Sequence, residues 1–268
     1  FIMTTQVLIY ERAVPISSER HGGWSVTGNN GYNFARNINA VPLLASEFIN
    51  AAVDGTIVFA GEGDNVFPSL LLGVQGGNVL IGEDGNWQGA YVPAFLRRYP
   101  FIFSHDEEAG TFTLCIDEEF EGINDSGRGE RLFDSDGNRT QYLNNMLQFV
   151  TDYQTMFERT KLFCQRLVQL GVLESGVAHF NLPQGERASL GGLSTINRDK
   201  LKEIDAETLQ TMLSTDELEL CFVHLQSLNN LTSLAEKSVD HSTATAAAPA
   251  KKDAVASKPA AKGSKKAS

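Results

Sequence analysis

Hydrophobic positions change period near the middle of the chain. Over residues 5–120 the apolar and β-branched residues fall in short runs broken by Gly, Pro, Asn and Asp, the pattern of strands joined by turns. Strands are predicted at 6–10, 23–26, 56–60, 69–74, 79–81, 101–104 and 111–116. Gly76-Gly77-Asn78 and Asp84-Gly85-Asn86 supply turns, because Gly and Asn take positive φ at little cost. One helix interrupts the series at 43–53, with Pro42 opening it, Glu47 early in it and Gly55 past its end.

From Tyr142 the step becomes three or four: Tyr142, Met146, Phe149, Tyr153, Phe157, Thr160, Phe163, Leu167 and Leu170. This is one face of a helix over 140–170, stopped at Gly171. Such a stripe is read as packing against the sheet rather than as lining a cofactor pocket. The Gly-rich stretch 176–192 suits a hairpin, and Asn197 and Asp205 suit N-caps of helices at 198–204 and 206–213. Ser214 and Glu217 are spaced as a capping box ahead of a last helix at 217–237. Its buried face would be Leu218, Cys221, Leu225, Leu228, Leu231 and Ala235, although 220–223 could also start a strand. The expected architecture is α+β: a β-rich N-terminal half packed with a long amphipathic helix and a helical C-terminal part. A single domain would cover 5–239, between a flexible start at 1–4 and a disordered Ala/Lys-rich tail at 240–268.

Charge divides the chain in the same place. The tail holds six Lys and two Asp, hence +4, and the formal net charge of −11 leaves −15 on residues 1–239. So acidic a body weighs against nucleic acid, whose phosphates need a cationic face. No apolar run approaches the ~20 residues of a membrane span. Cys115, Cys164 and Cys221 are widely separated without a C-x-x-C pair, and read as buried thiols of a reducing compartment. No basic segment followed by an apolar one opens the chain, and Met3 reads as its natural start; a cytoplasmic protein is expected.

Candidate chemistry is sparse. The five histidines lack metal-ligand spacing. His21, beside Gly22-Gly23-Trp24, could lie open in a loop and bind, or be an ordinary surface or turn histidine; His224 suits a structural place on the last helix. Asp134-Ser135-Asp136-Gly137-Asn138 begins like a calcium loop, but its Gly comes one ligand early, so an Asx turn capping the long helix is expected. Neither Gly61-Glu62-Gly63 nor the Gly73–Gly77 stretch continues as a phosphate loop. No cofactor or metal is expected, and catalytic residues stay unassigned. The segment 87–101 differs, placing Arg97 and Arg98 among aromatics and prolines. Neighbours on a strand face opposite sides, so at most one points inward and would need a carboxylate, with Glu47 a candidate. Alternatively the pair binds an anion through its fork geometry. The ligand-binding candidates are Glu47, Trp87, Tyr91, Arg97, Arg98 and His21.

Several blocks together resemble the bacterial SapC family. They are Phe34-Ala35, Asn39-Ala40-Val41-Pro42-Leu43-Leu44-Ala45-Ser46-Glu47-Phe48, Ile57-Val58-Phe59 and Pro68-Ser69-Leu70-Leu71-Leu72-Gly73. Arg97-Arg98-Tyr99-Pro100-Phe101, Leu132-Phe133-Asp134, Gly191-Gly192-Leu193 and His224-Leu225-Gln226-Ser227-Leu228 follow in order. The resemblance covers about residues 6–237 and implies an accessory or binding protein of bacterial envelope, surface-layer or nutrient-uptake systems. A peptide, glycan or envelope-protein partner would follow from it, with surface or envelope association. Two other readings stand beside it. One is an enzyme acting on a peptide or glycan, with Glu47, Trp87, Tyr91 and one of the arginines lining its pocket. The other is a structural surface-layer component.

Overall fold

The computed structural model describes residues 8–28, 31–74, 77–106, 110–181 and 187–238, so the expected flexible start and tail lie outside the described residues. In chain order the first half runs β1 (Ala13–Pro15), α1 (Ser18–His21), β2 (Ser25–Val26), β3 (Ala40–Pro42), α2 (Phe48–Ala51), β4 (Thr56–Ala60) and β5 (Phe67–Leu71). It continues through α3 (Ala94–Arg97), the hairpin of β6 (Phe101–Asp106) and β7 (Thr111–Asp117), then β8 (Ile123–Asn124) and β9 (Glu130–Arg131). The second half opens on α4 (Gln141–Gln169) and the hairpin of β10 (Leu173–Asn181) and β11 (Arg187–Ile196). It closes with α5 (Arg198–Lys202), α6 (Ala206–Ser214) and α7 (Glu217–Ser227), and the chain is helical again at 231–238. The architecture is α+β, as the change of period implied.

The strands pair antiparallel in three sheets among the described residues, ordered β10-β11-β4-β5-β3, β1-β7-β6 and β8-β2-β9. β4 occupies the predicted residues 56–60, and its unbroken apolar run is explained by burial of both faces. Ile57 and Phe59 enter the main core. Val58, which alternation turns the other way, packs with Leu234 and Ala235. α4 then joins the sheets. Its C-terminal half, with Tyr153 just before it, sends Phe157, Phe163 and Leu167 into the main core. Its N-terminal half sends Leu143 and Val150 into a second core with Val26, Phe101, Ile116 and Leu132. Each such buried side chain contributes roughly 1.5–3 kcal/mol of burial free energy. The helix begins where its cap does: the Thr140 hydroxyl accepts from Leu143 N at 3.3 Å. It ends before Gly171, whose φ is +65°.

Four local expectations are corrected. Residues 8 and 9, inside the strand expected at 6–10, form a turn, and Ala13–Pro15 pairs with β7 instead. The Asp117 carboxylate accepts from Glu11 N and Arg12 N, both at 2.9 Å, so a side chain tethers this stretch where a ladder was expected. At 79–81 only an isolated bridge, Ile81 to Trp87, survives, because Leu80 N donates to the Asn78 side chain. Pro42 ends β3 rather than opening a helix, and the helix expected at 43–53 shrinks to a 3₁₀ turn at Ala45–Glu47 and α2. The last helix lacks its capping box, since Asp216 at φ +61° precedes α7. It then tightens to 3₁₀ at Leu228–Asn230, where Asn230 donates to Ala52 O and Gly55 O.

Candidate functional site

The Arg97–Phe101 segment borders a cleft of about 280 Å³ between the β2 region and the N-terminal half of α4. Its walls are mostly rings: Tyr32, Phe34, Tyr99, Phe120 and Tyr142, with Met146 beside them. These come from four separate stretches of chain, and ring contacts hold several of them. Tyr99 stacks on Phe34 with centroids 4.3 Å apart and meets Phe120 edge-on at 5.2 Å, geometries that aromatic quadrupoles favour. The Tyr99 hydroxyl donates to the buried Asp117 at 3.2 Å, so its ring, not its hydroxyl, is offered to the cleft. Tyr32 is held from behind by Trp87, edge-on at 5.8 Å, and by its N–H, which donates to Gly85 O. Gly31 makes that loop possible. Its φ is +67°, and a Cβ there would lie 2.6 Å from Gly85 O.

Arg97 is the charged residue of the cleft lining. It is exposed, whereas Arg98 is 2 % exposed. The two do not sit on a strand: Arg97 ends the helical turn α3 and Arg98 follows as its C-cap. Arg97 Nε donates to Val92 O at 3.0 Å, and Nη2 donates to the Tyr91 hydroxyl at 2.9 Å. The guanidinium also lies 5.5 Å from the Tyr91 ring centroid and 5.4 Å from that of Phe149. Behind Tyr91 stands Glu47, only 4 % exposed. Its carboxylate accepts from Leu44 N at 2.9 Å, from Ala94 N at 2.7 Å and from the Tyr91 hydroxyl at 2.8 Å. One buried carboxylate thus ties the turn before α2, the start of α3 and Tyr91 together. Burial and the Glu47 charge push the Tyr91 hydroxyl up to about 12, so it keeps its proton and donates it to Glu47.

Arg98 is the inward one of the two. It lies 4.3 Å from the Tyr153 centroid, 4.8 Å from that of Phe95 and 5.8 Å from that of Tyr10, so aromatic faces surround the inward cation. His21 is likewise not a surface residue. It is fully buried, with Nε2 3.2 Å from Glu118 Oε1 and its ring edge-on to Trp24. Glu118 also receives the Arg20 and Arg12 guanidinium groups, a knot held by α1 and not part of the cleft lining. His224 takes the structural place expected of it, its Nε2 accepting from Ile196 N at 3.1 Å. Asp134 forms the expected Asx turn, its Oδ1 accepting from Asp136 N and Asn138 N.

Of the predicted binding residues, therefore, Arg97 lines the cleft, Tyr91 and Glu47 stand behind it, and Trp87 backs Tyr32. Arg98 and His21 belong elsewhere. Sequence reasoning missed Tyr32, Phe34 and Phe120, which lie in stretches without a period. It also read Tyr142 and Met146 as packed core. A second hollow, about 320 Å³, lies between Phe103, Phe112 and Leu114 of the β6–β7 hairpin and Leu143 and Leu147 of α4; none of the predicted residues lines it. The three cysteines are buried thiols, and burial pushes Cys164 and Cys221 up to about 12.

A family model described as SapC matches residues 16–234, most of the chain. The chain belongs to the SapC family. No curated protein and no solved structure matches it. The SapC match contains every element of the cleft, from β2 to α4. Among the described residues no helix is long and apolar enough to cross a membrane, and no group of three or more His, Cys, Asp or Glu could hold a metal ion.

Proposed function

We propose that this SapC-family protein works by binding, as an accessory component of envelope or nutrient-uptake systems, and that the aromatic cleft is where it binds. The observation that carries this reading is the composition of the cleft. Among the described residues lining it are five aromatic rings, one cation, one amide and the Thr27 hydroxyl, which donates to Gly122 O, and no His, Cys, Asp, Glu or Lys. Rings and a few placed polar groups make a recognition surface. Turnover of a peptide or glycan would draw on an accessible nucleophile or carboxylate, whereas Glu47 is buried with three hydrogen bonds already accepted.

The test is a titration of the full chain with aromatic peptides and with glycans, followed by protein fluorescence. Saturable binding that weakens at least tenfold in Tyr142→Ala, with an unchanged far-UV spectrum, is the expected result. Chemical change of a bound peptide or glycan by wild-type protein, lost in Glu47→Gln that still folds, would overturn it in favour of an enzyme. Fractionation of cells producing the protein checks the envelope link: recovery wholly apart from envelope material would remove that part of the reading.

A further inference from the structure

We propose that the cleft takes an aromatic ring carrying a carboxylate, with Arg97 as the residue that contacts the anion and Glu47 as the residue that positions Arg97 through Tyr91. This rests on the reading of the cleft as a binding site and deepens it by naming the ligand chemistry.

Three features lead to the anion. First, the guanidinium carries five N–H donors, and two hydrogen bonds engage it among the described residues, from Nε to Val92 O and from Nη2 to Tyr91. Both Nη1 hydrogens and one on Nη2 remain, the set that can grip a carboxylate with two parallel bonds. Second, no acid among the described lining residues competes for it. The nearby carboxylates are engaged elsewhere: Asp84 accepts from Asn86 N and Nδ2. Asp117 accepts from Glu11 N, Arg12 N, Glu119 N and Tyr99. Third, Arg97 itself lines the cleft together with Tyr32; burial raises the Tyr32 hydroxyl, and the Arg97 charge opposes that rise only in part.

The ring follows from the walls and the volume. Tyr32, Phe34, Tyr99, Phe120 and Tyr142 present faces and edges to the same space, where a planar apolar group gains contact on several sides. About 280 Å³ matches roughly nine waters at ~30 Å³ each, room for one ring and a short acid arm. A sugar ring would ask for several hydrogen-bonding side chains, and of those in the lining Thr27 already donates to Gly122 O, Asn86 to Asp84 and Tyr99 to Asp117.

The link through Tyr91 has a direction. Tyr91 has one proton and gives it to Glu47 at 2.8 Å, so only its lone pairs face Arg97 Nη2. The buried carboxylate therefore fixes which way the hydroxyl points, and the hydroxyl fixes one arm of the guanidinium. Glu47 touches no ligand in this scheme; it is a positioning residue. A free aromatic acid and the C-terminal aromatic residue of a peptide offer the same chemistry.

The experiment titrates the full chain with 3-phenylpropionate and its amide, and with tetrapeptides ending in Phe with a free or amidated C-terminus. Each acid should bind at least tenfold tighter than its amide, and Arg97→Ala should erase that preference while leaving the melting temperature within a degree or two. Tyr91→Phe should lower the acid-to-amide ratio severalfold with ring binding kept. A purely structural Tyr91 would shift both ligands alike, and that result would overturn the positioning role. Binding of the peptide pair alone, with the acid preferred, would support the proposal and identify the source as a chain terminus. Acid and amide binding equally, both weakened by Tyr142→Ala, would overturn the charge inference and leave the cleft as a binding site. Absence of binding by all four probes would overturn both.

Discussion

The two halves of α4 carry the same apolar period and meet different surroundings. In the C-terminal half, Phe163 and Leu167 are 3 % and 0 % exposed within the main core, and Thr160 accepts a hydrogen bond from Ala45 N. In the N-terminal half Leu143 is as buried, but Tyr142 and Met146 on its flank are only part-buried and border the aromatic cleft. A 3.6-residue period marks the face that avoids water. It does not say whether a sheet fills the space opposite or a hollow remains there. The second half is packed core; the first half divides its apolar surface between core and the wall of the cleft.

That contrast can be tested by how much each half yields. The largest effect is expected from Phe163→Ala, which empties a site edge-on to Phe48 and should cost about 3–5 kcal/mol in urea denaturation. A cost below 1 kcal/mol would mean the packed half is not packed. Next comes acid. Burial holds His224 down to about 4, below the ~6.5 of an unfolded histidine. The unfolded chain therefore binds the proton first. The contribution is complete above about pH 6.5 and is lost as pH falls toward 4, roughly 3 kcal/mol in all. Urea midpoints between pH 7 and 4.5 should fall more steeply in wild type than in His224→Gln; equal slopes would remove His224 from the account.

Smaller effects belong to the N-terminal half. Thr140→Ala removes the cap of α4 and should cost about 1 kcal/mol, with the loss seen first as faster amide exchange in the opening turn. Met146→Ala, facing the cleft, should cost less than about 1 kcal/mol while weakening ligand binding. If it proves as costly as Phe163→Ala, the cleft is core and the comparison fails.

Legibility followed the range of the interactions involved. α4 and its Gly171 stop, the caps Asn197 and Asp205, and β4 were all readable, because each is set by residues within a turn or two of one another; the cap of α4 was expected from the Asp134 turn and is made by Thr140 instead. That at most one of Arg97 and Arg98 faces inward was expected from strand alternation; one does, but from a helical turn. Its surroundings were not readable, since Tyr10 and Tyr153, which face Arg98, come from the start and the middle of the domain. His21 looked open beside its glycines, yet its partner Glu118 lies 97 residues away. The cleft was invisible for the same reason: Tyr32 and Phe120 sit in loops whose sequence has no period to betray a shared wall.

By itself the sequence determined the α+β class, the long helix and the SapC resemblance, all carried by local pattern. Only the tertiary structure decided that Glu47 reaches Arg97 through Tyr91, that Arg98 is met by rings, and that five distant aromatics enclose one cleft. Those outcomes depend on which surfaces meet when the sheets close around α4. Hydrophobic burial drives that closure without direction, so the contacts it creates are written in no single stretch of the chain.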